Sequence, residues 1–142
     1  MDTMIASSVA TKASLHVPLR LPRQRPRAGL APHKLSSVLA HIDAHMAESV
    51  TVRRLADAVH TSPFHFARMF KVAVGCPPHL YVTLLRMERA KELLVNSALP
   101  LVEIAACVGY QTQAHFTGVF HKHVGSTPRT YRLATIAARD GR

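Results

Sequence analysis

Acidic residues are scarce in this chain of 142: eight Asp and Glu stand against eighteen Lys and Arg. Cysteine is scarcer still, with Cys76 and Cys107 alone and no CxxC pair. Two cysteines cannot build a disulfide framework. Both are expected to be reduced, as in a cytoplasmic protein, and to pack as small apolar residues in or near a core. Long apolar runs are missing too. Nothing approaches the ~20 residues that a membrane span needs, so no membrane partner is expected and the setting is read as cytoplasmic. No stretch alternates apolar and polar with period two, which leaves no signal for a sheet.

Catalytic and metal-binding constellations are equally thin. No nucleophile stands in a recognisable arrangement with a base, so no catalytic residue and no enzyme activity are read. Ten histidines invite a metal, and His41 and His45 are four apart on a helical stretch, while His121 and His123 flank Lys122. A pair at i, i+4 still needs a third ligand and an oriented outer shell, and no Glu follows His41 as in HExxH. No metal and no cofactor are assigned.

What the chain does have is apolar content and positive charge. Hydrophobic residues make up 48%, enough for a packed core, and the formal net charge is +10. A small protein this basic neutralises something, most commonly nucleic acid. Ribosomal-type proteins and binders of anionic membranes share that sign, so charge alone does not choose.

Residues 1–32 differ from the rest. They carry Lys12, Arg20, Arg23, Arg25 and Arg27 against Asp2, and Pro18, Pro22, Pro26 and Pro32 interrupt any helix. Such N-termini also occur as organellar transit peptides. The composition is read here as a flexible basic arm over 1–32, which adds phosphate attraction without sequence preference.

From Pro32 on, apolar residues recur at helical spacing, as in Leu35, Val38, Leu39, Ile42 and Met46. An internal repeat follows. A shift of 50 superposes His65 on His115, Phe66 on Phe116, Phe70 on Phe120, Gly75 on Gly125, Pro78 on Pro128 and Tyr81 on Tyr131. Upstream the shift is 49, with Leu55 on Ile104, Ala56 on Ala105 and Val59 on Val108. One residue is therefore inserted between Val108 and His115, and only a turn tolerates that. Each copy reads as helix, turn, helix.

Ser62–Pro63 predicts an N-cap followed by proline at the first helical position, and Thr112 holds the same place in copy two. Gly75 and Gly125 close those helices. Pro78–Asn96 reads as one uninterrupted helix, roughly 28 Å long. Successive major grooves on one face of DNA lie about 34 Å apart, which such a helix suits. The fold class is therefore all-α: two helix-turn-helix subdomains joined by a long linker helix. Lobe 1 is placed at 33–77, the linker at 78–96, lobe 2 at 97–136 and a C-terminal tail at 137–142.

The second helix of each copy has a buried stripe and a free one. In copy one Phe66, Met69, Phe70 and Ala73 face inward, which leaves Phe64, Ala67, Arg68 and Lys71 outside. In copy two Phe116, Val119 and Phe120 face inward, which leaves Ala114, Thr117, Gly118 and His121. A helix face with arginine and lysine fits a major groove. On one helix it would be an ordinary solvated surface; two matched copies on so basic a chain favour nucleic acid.

At this point the residues resemble a known family. Leu55-Ala56, Ser62 to Lys71, Gly75 and Tyr81 are similar to the first half of the AraC/XylS DNA-binding domain. Arg86 to Ala90, Leu93-Leu94, Ile104-Ala105, Val108-Gly109-Tyr110, His115-Phe116, Phe120, Gly125, Thr127-Pro128 and Tyr131-Arg132 resemble its signature region. The resemblance covers about residues 33–135.

It implies a two-lobed domain of about seven helices, the third and sixth of which enter successive major grooves, in a transcription activator that contacts RNA polymerase. It also implies a nucleoid-associated bacterial protein. The chain looks like the short MarA/SoxS type, or a remnant of a longer regulator, since Gly29 to Leu35 resembles the join after a sensor domain.

Residue by residue, the base-facing positions fall on Phe64, Ala67 and Arg68, then on Gln113, Ala114, His115 and Gly118. Phosphate contacts fall on Ser62, Lys71, Thr112, Lys122 and Arg129. Ala67 stands where a longer polar side chain is common, and Gly118 where an arginine is common. Lacking a heptad or a spare apolar helix, the chain is expected to bind double-stranded DNA as a monomer. A helical adaptor for acidic protein partners is the competing reading. RNA is disfavoured because no exposed aromatic platform is evident.

Overall fold

The computed structural model describes residues 29–141, which form seven helices. They are α1 (Pro32–Ala44), α2 (Val52–Ala58), α3 (Pro63–Val74), α4 (Pro78–Asn96), α5 (Leu101–Cys107), α6 (Gln113–Val124) and α7 (Pro128–Asp140). No strand occurs among the described residues. The all-α reading and its count of helices hold. Most of the expected basic arm, residues 1–28, lies outside the described residues.

The chain divides into two compact units. Among the described residues, the first takes in the chain up to His45 and Val50–Leu84; the second takes in Met46–Ser49 and everything from Leu85 on. The boundary in α4 thus falls between Leu84 and Leu85. The short link Met46–Ser49 belongs to the second unit, although the helices on either side of it belong to the first.

Each unit closes around one pair of phenylalanines. In the first, Phe66 and Phe70 are fully buried, and Leu35, Val38, Ile42 and Leu55 of the same unit are buried as well. Phe70 meets the edge of Tyr81, with ring centroids 5.5 Å apart. In the second, Phe116 and Phe120 are buried with Met87, Leu94, Ile104 and Val108. Phe120 meets Tyr131 the same way, at 5.6 Å. The repeat in the sequence is therefore a repeat of packing, with one edge-to-face aromatic contact at the same place in each copy.

The helix ends obey local chemistry. Ser62 Oγ accepts the His65 amide at 3.3 Å, and Thr112 Oγ1 accepts the His115 amide at 3.1 Å. Thr51 caps α2 and Thr127 caps α7 by the same bond. Gly75 and Gly125 end α3 and α6 with φ of 98° and 94°, which glycine adopts without steric cost.

Between the helices of each copy the chain makes one kind of turn. The Thr61 amide donates to Ala56 O and the His60 amide to Asp57 O; in copy two Tyr110 donates to Ala105 O and Gly109 to Ala106 O. His60 and Gly109 both carry positive φ. Copy one then reaches its N-cap after Thr61, and copy two after Tyr110 and Gln111. The inserted residue sits in the turn, as its sequence position demanded.

Three expectations need correction. Leu30 is buried and Pro32 is the first residue of α1, so Gly29 to Pro32 belong to the folded unit and not to an arm. Gly29 lies so close to α3 that an added Cβ would stand 3.3 Å from Ala73 Cβ. The expected tail at 137–142 is helical through Asp140. No proline or internal glycine interrupts the chain from Arg129 to Asp140, and Arg139 anchors it, donating to Val95 O and Asn96 Oδ1 at 3.2 and 3.4 Å. Arg132 donates to Leu94 O and Ser97 O, so two arginines of α7 satisfy carbonyls that the end of α4 leaves open. Cys76 is buried, but Cys107 is exposed, on the outer face of α5 with Glu103 and Ala106.

Candidate nucleic-acid interface

In each unit the buried phenylalanine pair fixes which side of the second helix remains free. Phe66 and Phe70 turn one face of α3 inward and leave Phe64, Arg68 and Lys71 exposed. Phe64 is 78% exposed, which leaves its ring free for contact on this face. Val72, 50% exposed, continues the line Phe64–Arg68 one turn on. Sequence reasoning missed Val72 because it looks like one more apolar core residue, yet its spacing of four from Arg68 was the available signal. Ala67 is half-buried, so the expected base-facing set of α3 rests on Phe64 and Arg68.

On α6 the corresponding positions are all exposed: Gln113, Ala114, His115, Gly118 and, further along, Lys122. Thr117 is half-buried. Gly118 has nothing within 4 Å of where a Cβ would stand. It has an ordinary helical backbone and no packing reason to be glycine. Gly118→Ala is therefore expected to raise stability, by up to about 1 kcal/mol, in urea unfolding of the full chain. A loss of stability would mean that the glycine meets a steric demand.

The ends of both helices suit an anion. Neither α3 nor α6 has an acidic residue in its first turn, and basic side chains stand in both last turns. In α3 Pro63 has no N–H and the His65 amide is capped, which leaves the Phe64 amide at the positive end of the helix dipole; in α6, with His115 capped, the Gln113 and Ala114 amides are left. Ser62 Oγ and Thr112 Oγ1 accept the capping amides, and each hydroxyl keeps its own O–H, a donor that can reach a phosphate. Arg129, at the second position of α7 behind the Thr127 cap, is exposed as well.

Displaced acidities belong to the cores and not to these faces. Burial holds the Cys76 thiol above its usual range and pushes the Tyr81 hydroxyl up to about 12, with Cys76 and Asp43 adding to the effect. Burial raises Tyr110 as well, and the Arg86 guanidinium opposes it. Among the described residues no cluster of three His, Cys, Asp or Glu side chains could hold a metal. No described helix is long and apolar enough to cross a membrane.

Two copies of a capped helix-turn-helix, each presenting the free face of its second helix, define a double helix-turn-helix domain. A family described as "Helix-turn-helix domain" matches residues 55–134. The chain belongs to this family, in its AraC-type form.

A putative AraC-like transcription regulator of Streptomyces antibioticus is 34% identical over 138 residues, which are 92% of this chain and 45% of that protein. The uncharacterized HTH-type transcriptional regulator YobQ of Bacillus subtilis is 31% identical over 126 residues, 89% of this chain and 50% of its own. The chain thus spans about half the length of these relatives. The DNA-binding domain of AdpA, a global transcriptional factor solved in complex with a target DNA, superposes with a TM-score of 0.72 and 30% identity. That match covers 75% of this chain and 96% of the other.

Proposed function

We propose that this chain binds double-stranded DNA sequence-specifically and regulates transcription, with α3 and α6 entering successive major grooves. The observation that carries the reading is the pairing of two like units, each with a capped helix whose free face holds polar or basic side chains. Membership in the AraC-type family, and the AdpA domain's complex with a target DNA, support it. The protein acts without catalysis, as a monomer on an asymmetric site. Its role is that of an activator that meets RNA polymerase, which rests on the family resemblance alone.

Within this reading the two units contribute unequally. Arg68 can donate two hydrogen bonds to O6 and N7 of a guanine, and exposed Phe64 can lie against a thymine methyl. The counterpart of Arg68 under the repeat is Gly118, which donates nothing. In the second unit base reading falls to Gln113 and His115, while Lys71, Lys122 and Arg129 hold phosphates.

Arg68→Ala is expected to cost ~1–3 kcal/mol of specific binding and to relax the preference at one or two base pairs. Titrations of a selected duplex and of a scrambled one, at several salt concentrations, measure this. An equal loss on both duplexes would make Arg68 a phosphate contact. A chain that retards no duplex at any salt concentration would instead favour the protein-adaptor reading.

A further inference from the structure

The turn of copy two holds a device that copy one lacks. Where copy one has His60–Thr61, copy two has Gly109–Tyr110–Gln111, and the longer turn brings in an aromatic ring. Tyr110 is buried against Phe116, with ring centroids 5.9 Å apart, and it presents its ring perpendicular to the His115 imidazole at 5.2 Å. The other neighbour of that ring is a cation: Arg86 Cζ stands 5.4 Å from its centroid. Arg86 is itself tied down, since its Nη2 donates to Glu48 O at 2.8 Å. Gly109 completes the fit. A Cβ there would lie 2.8 Å from the guanidinium and 2.6 Å from Met46 O, so the turn closes directly on the arginine and on the Met46–Ser49 link.

We infer that Arg86 and Tyr110 are positioning residues that fix the His115 imidazole on the reading face of α6. The inference rests on the DNA-binding reading above. The physical need is plain. His115 is exposed, and a free imidazole on a helix surface samples several rotamers, whose loss counts against binding. A ring edge held at a set distance removes part of that cost beforehand. The guanidinium in turn holds the tyrosine, because a cation over the ring face and a hydrogen bond to a backbone carbonyl act on one rigid planar group. With Gly118 unable to read bases, a preorganised His115 gives the second unit its base preference. The reading edge of that unit thus moves to the first turn of α6.

The test compares sites selected from a random duplex library by the full wild-type chain, Tyr110→Leu, Tyr110→Phe and Arg86→Met, with thermal unfolding of each variant. Tyr110→Leu keeps apolar volume but loses the ring. It is expected to bind the wild-type site about two- to tenfold more weakly and to lose preference only in the half read by α6. Tyr110→Phe is expected to select as wild type does. Arg86→Met is expected to reproduce the loss of Tyr110→Leu, and it carries the test alone should the leucine variant not fold. His115→Ala is expected to abolish the difference that Tyr110→Leu makes.

Folded variants that select both halves as before, or that weaken both halves equally, overturn the positioning role. A wild-type chain that selects no duplex overturns the DNA-binding reading instead.

Discussion

Gly109→Ala is expected to cost about 3–5 kcal/mol, a large part of the roughly 5–15 kcal/mol by which a folded domain is stable. Two separate penalties add. At φ of 89° any side chain is strained, and the new Cβ would stand 2.6 Å from Met46 O, a backbone atom that cannot swing aside. The Arg86 guanidinium at 2.8 Å would have to leave Tyr110 or Glu48 O. Gly75 and Gly125 share the positive φ but have open space where a Cβ would go, so alanine there pays the conformational term alone. Urea unfolding of the three variants side by side separates strain from collision. If Gly109→Ala costs no more than Gly75→Ala, the close approach of Met46 is not a constraint.

Phe120→Ala is the second large effect, at about 3–5 kcal/mol. The ring is fully buried, 5.8 Å from Phe116 and edge-on to Tyr131, and its loss leaves a cavity beneath α6. Because each unit closes around its own aromatic pair, the damage is expected to stay in the second unit. In native-state hydrogen exchange, amides of α5, α6 and α7 should lose protection while those of α1, α2 and α3 keep theirs. Equal loss in both units would show that they unfold as one.

Much of this fold was legible because its strongest signals are short-range. Ser62–Pro63 and Thr112 marked the starts of α3 and α6, Gly75 and Gly125 marked their ends, and the doubled phenylalanines marked the inward face. The offset between the 49- and 50-residue shifts located an insertion, and it lies in the turn.

What escaped depends on partners far away in the chain. The extension of α7 is held by Arg139 at Val95, 44 residues back, and no local pattern announces that bond. Leu30 looks like part of a proline-rich arm until its burial is seen. The half-burial of Ala67 reflects how closely its own unit packs, which periodicity fixes only to within a fraction of a turn. Arg86 read as one letter of a family signature. Its reach to Glu48 O, across 38 residues, is what turns that letter into a mechanical part.

The most direct test of the central claim is the site that the wild-type chain selects from random duplex DNA at physiological salt. The account expects one asymmetric site without an inverted repeat. One half, where Arg68 reads a guanine, should be strongly determined; the other, about one turn away, should be degenerate except where Gln113 and His115 reach. Two equally sharp halves, a palindrome, or no enrichment at all would contradict it.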